Sequence, residues 1–349
     1  MRRPRLVASA LAAVASATTA LAQERAFVVP GAHDALLAAG PQAARIGALW
    51  NLTVFICTAV FCAVLIALVF ALWRSGRTRE DEPADLSSIG RHERGPYLSV
   101  VWSVGVSIAL LFVLIVASVV TDRALARASL DNAVRIDVTG HQWWWELTYR
   151  GESPGDNFSA VNELHVPVGR PVVLRLNADD VIHSLWVPSL AGKKDLIPGR
   201  TATMSFRADR PGRYRGQCAE FCGYQHAFMA FEVIADAPEQ YDAWAATQRR
   251  PAAEPADATA QRGRDVFLGS TCIMCHAIDG TTAAARKGPD LTHVGGRSTI
   301  AAGTLPNRPG ELARWIANPH DFKPGVNMPA TALSSDDMSA LVSYLGGLK

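Results

Sequence analysis

Two long apolar stretches stand out in the first part of the chain. Residues 46–73 and 95–121 contain no charged side chain, and both exceed the roughly 20 apolar residues that cross a bilayer. We therefore predict two transmembrane helices, at about 46–73 and 97–121, within an N-terminal segment that covers residues 23–130. Five arginines lie between these stretches, against two, Arg25 and Arg45, between residue 23 and the first stretch. This bias predicts a cytoplasmic loop and a C-terminal part on the outer side.

A shorter apolar stretch comes first in the chain. Residues 1–22 begin with three arginines and no acid, and they end in Ala20-Leu21-Ala22, which has the small-x-small form of a cleavage site. We predict that residues 1–22 are a signal peptide. A first membrane anchor is the alternative, but the apolar part is short and rich in alanine and threonine.

After residue 130 the pattern changes to short stretches in which apolar and polar residues alternate. This period of two predicts strands at 134–138, 171–176 and 203–206, with turns at the Pro-Gly pairs 154–155, 198–199 and 211–212. Residues 131–247 are therefore predicted to form a small β-sandwich or barrel.

Two further segments complete the chain. Residues 248–261 have no apolar period and contain two prolines, so we predict a fairly mobile linker. Residues 262–349 have a helical pattern and predict a compact, all-α domain.

Composition and charge narrow the class of protein. Hydrophobic residues make up 49% of the 349 residues and charged residues only 19%, which excludes intrinsic disorder of the whole chain. The formal net charge of +2 gives no case for nucleic acid as a partner. Six cysteines are too few for a disulfide-knit miniprotein. These values are typical of a membrane-attached protein with folded domains outside the bilayer.

A Cys-x-x-Cys-His motif opens the C-terminal domain. Cys272 and Cys275 have the spacing that attaches both vinyl groups of one haem, and His276 follows as an axial ligand to the iron. A thioredoxin-like redox pair or half of a zinc site is the alternative. Gly288-Pro289 and Asn327-Met328-Pro329 come later, and these segments resemble those of class I cytochromes c, which implies covalent haem c.

Three methionines of this domain compete for the second axial position. Met274 lies inside the attachment motif and cannot cross to the other haem face, and Met338 lies in a predicted terminal helix. Met328 lies in a proline-flanked loop, so we predict His276 and Met328 as the axial pair. Such a pair fills both axial positions and favours electron transfer over ligand chemistry.

A second cluster of sulfur and imidazole ligands lies in the β domain. Cys218, Cys222, His226 and Met229 fall within twelve residues, and His183 lies upstream at a strand end. The two cysteines and two histidines could hold structural zinc, and the cysteines alone could form a disulfide. Met229 favours copper over zinc, because its thioether is a soft ligand.

The pattern C-x-E-x-C-G-x-x-H-x-x-M, with His-Ser-Leu upstream, resembles the binuclear CuA centre of cytochrome c oxidase subunit II. Residues 140–145 and 194–200 also match that family, and the fused haem domain narrows the resemblance to caa3-type haem-copper oxidases. The resemblance implies a cupredoxin-like fold for the β domain. It also implies that the copper ligands are His183, Cys218, the Glu220 carbonyl, Cys222, His226 and Met229.

The same resemblance assigns further roles. The Glu220 carboxylate would share a magnesium or manganese ion with subunit I, and electrons would reach CuA by way of Trp143. The chain would take electrons from a cytochrome c or a similar one-electron donor through haem c and CuA. It would pass them to subunit I, where dioxygen becomes water. The expected partners are subunits I and III and the lipid bilayer, and the expected location is the bacterial inner membrane, with both redox domains on the periplasmic face.

Three other classes share part of this pattern. A quinol oxidase subunit II lacks the copper ligands, nitrous oxide reductase needs a far longer chain, and a copper-assembly protein leaves the haem motif unexplained. One departure from the oxidase family concerns proton uptake: Ser99 occupies the position where many relatives carry a glutamate before the tryptophan of the second span, here Trp102. The proton entrance is therefore not predicted.

Overall fold

The computed structural model describes residues 33–74, 94–127 and 129–349. The predicted signal peptide, residues 1–22, lies outside these ranges, as does most of the loop between the two apolar stretches. Of the described residues, those at 44–74 and 94–127 form one compact unit, and the others form a second.

The first unit consists of the two apolar helices. Helix α1 covers Pro41–Arg74 and helix α2 covers Arg94–Ala126, and both are long and apolar enough to cross a membrane. The predicted spans at 46–73 and 97–121 lie inside them, so the prediction of two transmembrane helices is confirmed. Many of their large apolar side chains are exposed, as expected of helices that face lipid. A helix can cross the bilayer because its backbone polar groups bond to each other.

The second unit begins with a β-sandwich of two five-stranded sheets. One sheet has the order β3-β2-β1-β5-β8 and the other β4-β10-β9-β6-β7. The strands are β1 Val134–His141, β2 Trp144–Arg150, β3 Phe158–Val161, β4 Glu163–Pro167, β5 Val172–Ala178, β6 His183–Trp186, β7 Lys194–Leu196, β8 Ala202–Phe206, β9 Gly212–Cys218 and β10 Ala230–Asp236.

Alternation along the strands builds the core between the sheets. Every second residue of β1 is buried, as the period of two predicts, and Ile136 and Val138 are fully enclosed. Strand β1 pairs with β2 in antiparallel and with β5 in parallel. Trp145 of β2 is fully buried against Phe231 of the opposite sheet, with ring centroids 5.3 Å apart. The three strands predicted from the sequence lie in β1, β5 and β8.

The end of this domain differs from the prediction. The sequence assigned residues 131–247 to a β-sandwich, but helix α3, Pro238–Gln248, follows the last strand. Tyr241, Trp244 and Ala245 share one face of this helix at i, i+3 and i+4, and Trp244 stacks on His165 with centroids 4.1 Å apart. The helix is short and its apolar face is narrow, so its helical period could not be distinguished from the strand pattern that precedes it.

The C-terminal domain is helical, with one short strand pair. Its elements are α4 Ala258–Gly269, β11 Thr299–Ile300, β12 Leu305–Pro306, α5 Pro309–Ala317 and α6 Ser335–Gly347. Helices α4 and α6 cross so closely that a Cβ on Gly263 would lie 2.0 Å from the Ala340 carbonyl oxygen. Only glycine permits this crossing, which fixes the first and last helices of the domain against each other.

The predicted linker, residues 248–261, is more ordered than its composition suggests. It overlaps the end of α3 and the first turn of α4, where the Asp257 carboxylate caps the helix by accepting from the Ala260 amide at 2.8 Å. Between these helices, the Ala252 amide donates to the Asp279 carbonyl at 3.0 Å, and Glu254 pairs with Arg264. Because these partners lie in the C-terminal domain, the segment is held against that domain and is not a free tether.

Candidate functional site

The edge of the second sheet gathers the sulfur and imidazole side chains of the β domain. His183 is the first residue of β6, and Cys218 is the last residue of the neighbouring β9. The register pairs Leu185 with Cys218, so the two candidate ligands meet at the same sheet end. Residues 219–229 then form a loop that returns to β10.

The loop folds its ligands into one cluster. The Cys218 and Cys222 sulfurs are 3.8 Å apart, and the Cys222 sulfur is 3.6 Å from Nδ1 of His226 and 3.8 Å from Sδ of Met229. Nδ1 of His183 lies 3.9 Å from the Cys218 sulfur, and the Glu220 carbonyl oxygen lies 3.2 Å from it. All six predicted copper ligands therefore converge on one place.

Neighbouring residues fix the position of His183. A Cβ on Gly140 would lie 2.8 Å from Cδ2 of the His183 ring, so a side chain there would displace the imidazole. On the other side, Nε2 of His183 is 2.8 Å from the Asp180 carboxylate. This contact leaves Nδ1 free to face the sulfurs, which is the arrangement of a metal-binding histidine with a carboxylate behind it.

The cluster is buried and electron-rich. Cys218 and Cys222 are each 3% exposed, and Met229 is fully buried. The contact with the Cys222 thiol lowers the pKa of Cys218, so one sulfur of the pair is a thiolate at neutral pH. A thiolate is the form of cysteine that binds metal.

These donors fit copper better than the alternatives. The two cysteine sulfurs are not bonded to each other, so the cluster is not a disulfide. Two thiols, two imidazoles and a carbonyl oxygen would suffice for zinc, but they leave the thioether of Met229 without a role. A thioether among thiolates and imidazoles is the donor set of a copper electron-transfer site.

A cavity of about 590 Å³ lies next to the Cys-x-x-Cys-His motif of the helical domain, and residues of the β-sandwich line one side of it. Cys272, Cys275, His276 and Met328 line it. Its charged lining residues, among the described part of the chain, are Lys287, Arg297 and Lys323, which are all basic. An apolar cavity with two adjacent thiols and no acidic side chain among its described lining residues fits a covalently attached haem, whose propionates are anionic.

His276 is held from behind by the Gly-Pro pair. Its Nδ1 lies 2.7 Å from the Pro289 carbonyl oxygen, so this nitrogen carries the proton and Nε2 is left as the donor atom for a metal. A Cβ on Gly288 would lie 2.8 Å from Cε1 of the ring. Burial lowers the pKa of His276, which favours the neutral imidazole that coordinates iron.

The three methionines of the helical domain have different surroundings. Met328 lines the cavity and is partly buried, whereas Met274 lines it but is 69% exposed. Met338 packs against the hydrophobic core on helix α6 and is not among the residues that line the cavity. The structure therefore brings Met328, and not Met338, to the same cavity as His276.

The tryptophan run divides into three roles. Trp145 belongs to the core of the sandwich, and Trp144 stacks on His141 with ring centroids 4.3 Å apart. Trp143 is 6% exposed and lines the cavity of the helical domain. Its indole Nε1 donates to the Cys222 carbonyl at 2.9 Å. Trp143 is thus in contact with both candidate sites.

Two residues near these sites gave no clear sequence signal. Asp180 supports His183 from a turn, where an aspartate is unremarkable by itself. Lys323 lies buried between the two domains, and a lysine in a loop is normally solvated. The Glu220 side chain, predicted to meet subunit I, is exposed.

Comparisons with known proteins agree with both domains. The family described as "Cytochrome C oxidase subunit II, periplasmic domain" matches residues 134–236, and the family described as "Cytochrome c" matches residues 260–349. Cytochrome c oxidase subunit 2 of Alkalihalophilus pseudofirmus is 39% identical over 316 residues, which cover 89% of each chain. The same subunit of Bacillus sp. strain PS3 is 34% identical over 272 residues, covering 72% of this chain and 74% of the relative.

Among solved structures, the periplasmic domain of subunit II of cytochrome oxidase of Bradyrhizobium japonicum is 29% identical, with a TM-score of 0.32. It covers 35% of this chain and 97% of that one. The two apolar helices, the β-sandwich and the cytochrome c domain together define a membrane-anchored subunit of a haem-copper oxidase, an oxidoreductase. The chain belongs to the cytochrome c oxidase subunit 2 family, and its fused cytochrome c domain fits the caa3 type. Copper in the form of CuA and haem c follow from the two families.

Proposed function

We propose that this chain is the subunit through which electrons enter a haem-copper oxidase. It accepts them from a cytochrome c-type donor at its C-terminal domain and passes them by way of haem c and CuA to subunit I, which reduces dioxygen to water. The observation that carries the proposal is the position of Trp143, which lines the cavity of the helical domain and donates to the carbonyl of Cys222.

The residues that would hold the two centres follow from the clusters described above. Cys272 and Cys275 would attach the haem, with His276 and Met328 on its two faces. The copper pair would be held by His183, Cys218, the Glu220 carbonyl, Cys222, His226 and Met229. When bound, the two groups supply one-electron carriers, and substrate bonds neither form nor break in this chain.

The protein residues contribute position, exclusion of water and a contact between the sites. Pro289 and Asp180 orient the two imidazoles by accepting or sharing one ring proton each. Burial of Cys218 and Cys222 keeps solvent from the sulfurs. Rigid donors that are set before binding keep the geometry nearly constant when the charge changes, which favours fast transfer.

The partners and the location belong to the same proposal. The exposed Glu220 carboxylate would share a magnesium ion with subunit I, and subunit III would complete the assembly. The helix pair would lie in the inner membrane of a bacterium, with both redox domains on the periplasmic face and the signal peptide removed after Ala22. The domain limits at residues 130, 247 and 261 remain predictions.

The test replaces the residue that touches both sites. In the complete oxidase, Trp143→Phe should slow electron transfer from haem to copper after flash reduction, because phenylalanine loses the hydrogen bond from the indole N–H to the Cys222 carbonyl. Both metal spectra should stay unchanged. Trp186→Phe is the control, since Trp186 packs against His33 and lies outside the cavity lining. Equal rates in the two variants would remove Trp143 from the path.

A further inference from the structure

The helical domain contacts the β-sandwich through two segments, which we name the 298–303 turn and the 323–327 loop. In the 298–303 turn, the amides of Ser298 and Thr299 donate to the buried Glu163 carboxylate at 2.8 and 3.3 Å. In the 323–327 loop, the Pro324 carbonyl accepts from Nε2 of Gln225 at 2.6 Å. The two domains are therefore docked by specific polar contacts.

Lys323 is the most deeply buried charge at this junction. Its side chain is only 2% exposed, and its ammonium donates to the Phe228 carbonyl at 2.9 Å and to the Trp143 carbonyl at 3.3 Å. The third acceptor is the Ala301 carbonyl at 3.3 Å. Burial lowers the pKa of Lys323 to about 8. Two of the three acceptors belong to the β-sandwich, and one belongs to its own domain.

A buried ammonium is stable only when its donors are satisfied. The group has three N–H donors, and here three carbonyl oxygens from three different segments receive them. Separation of the domains would remove the Trp143 and Phe228 carbonyls together. Because an unsatisfied buried donor is unfavourable, the ammonium can stay buried only where the two domains together present all three carbonyls, which favours this docked arrangement over misaligned ones.

The turn that supplies the third acceptor is strained. Ala301 and Ala302 have φ angles of 54° and 55°, in the left-handed region that residues with a Cβ rarely adopt. This conformation points the Ala301 carbonyl at Lys323, and it lets the Ala302 carbonyl accept from the Ala230 amide of the sandwich at 3.2 Å. Both carbonyls are used in docking, so the contact with the sandwich holds the strain in place.

The two sandwich carbonyls are next to the redox residues. Trp143 is the residue that touches both candidate sites, and Phe228 directly precedes Met229 of the copper cluster. We propose that Lys323 is a positioning residue. It holds the helical domain against the sandwich, and it fixes Trp143 and the 219–229 loop relative to the cavity that His276 lines. This inference rests on the proposed function. It implies that electrons pass from haem to copper while the two domains are docked.

The test compares Lys323→Met with the control Arg286→Met in the complete oxidase. Arg286 is an exposed base of the same domain and has no hydrogen bond among the described residues. Hydrogen exchange is measured at the amides of Ser298, Thr299 and Ala230, which are bonded across the junction. Haem-to-copper transfer is measured after flash reduction, and optical and EPR spectra report on the two centres.

We expect Lys323→Met to raise amide exchange at these sites about tenfold or more, since a hydrogen bond from a charged donor is worth roughly tenfold to hundredfold in an equilibrium. Haem-to-copper transfer should slow several-fold, with both spectra intact, and Arg286→Met should match the wild type. Lys323→Gln keeps a shorter donor, so amide exchange and the transfer rate should change in the same direction but by less. This variant replaces Lys323→Met in the test if the methionine variant does not assemble.

The outcomes separate the two proposals. Wild-type protein without any haem-to-copper transfer would refute the proposed function itself. If the wild type transfers electrons but amide exchange is unchanged in both Lys323 variants, only the claim that Lys323 holds the domains together is refuted. Faster exchange with an unchanged transfer rate would show that Lys323 docks the domains without positioning the redox residues, which also contradicts the inference.

Discussion

Gly288 offers the sharpest local test of the support of His276, the proposed haem ligand. A Cβ at this position would lie 2.8 Å from Cε1, 3.1 Å from Nδ1 and 3.3 Å from Nε2 of His276. Carbon atoms pack at about 3.5 Å or more, so in Gly288→Ala the imidazole must retreat by about 0.7 Å. That movement stretches the 2.7 Å hydrogen bond between Nδ1 and the Pro289 carbonyl.

The size of the effect follows from these two terms. Overpacking of a tight site costs about 1–3 kcal/mol, and loss of the hydrogen bond adds about 1 kcal/mol. We expect Gly288→Ala to destabilise the helical domain by about 2–4 kcal/mol. For a domain of this size that corresponds to a fall in Tm of roughly 10–20 °C. The weak sulfur-to-iron charge-transfer band expected of the proposed His276 and Met328 pair should also weaken, because the imidazole that would hold the haem is displaced.

Gly310→Ala is the matched control. Gly310 lies in helix α5, and nothing lies within 4 Å of the position its Cβ would take. Alanine should stabilise the helix there by about 0.5 kcal/mol. The assay is thermal unfolding of the full-length protein, followed in the haem absorption. If the two alanine variants melt together, with the same haem spectrum, the Gly-Pro pair does not support His276.

The remaining predictions concern the two proposed thioether ligands, Met328 and Met229. Met328→Ala should abolish the low-spin His/Met spectrum of the haem, while Met338→Ala should lower stability through lost core packing and leave that spectrum in place; the reverse result would show that the wrong methionine was chosen. Met229→Leu keeps the volume but removes the thioether 3.8 Å from the Cys222 sulfur, so the copper EPR signal should change and the haem band should not; an unchanged copper signal would exclude Met229 as a ligand.

Much of the architecture follows from local patterns. The charge-free stretches predict α1 and α2, because only about 20 apolar residues are needed to cross a bilayer and both stretches are longer. The alternation at 134–138 predicts β1, since one of its faces is buried and the other is not. The compact spacing of Cys218 to Met229 in one loop makes a metal cluster visible without any knowledge of the fold.

Features that depend on packing between distant segments could not be predicted. The apolar face of helix α3 consists only of Tyr241, Trp244 and Ala245. The strands against which this face packs cannot be identified from the sequence. The prolines and charges of residues 248–261 predict a free tether, but its carbonyls and amides find partners in the next domain. Lys323 gives no signal of burial, because the acceptors that satisfy it lie 180, 95 and 22 residues away.

The central claim is that electrons reach copper through the fused haem domain. Rapid mixing of the complete oxidase with its reduced cytochrome c-type donor, followed at the haem and copper absorption bands, tests it most directly. In the full-length protein the haem should be reduced before copper. An oxidase that lacks residues 262–349 should accept electrons from the same donor more slowly, while electron flow from copper to oxygen stays intact. Reduction of copper before haem, or donor oxidation at the full rate in the truncated enzyme, would contradict the account.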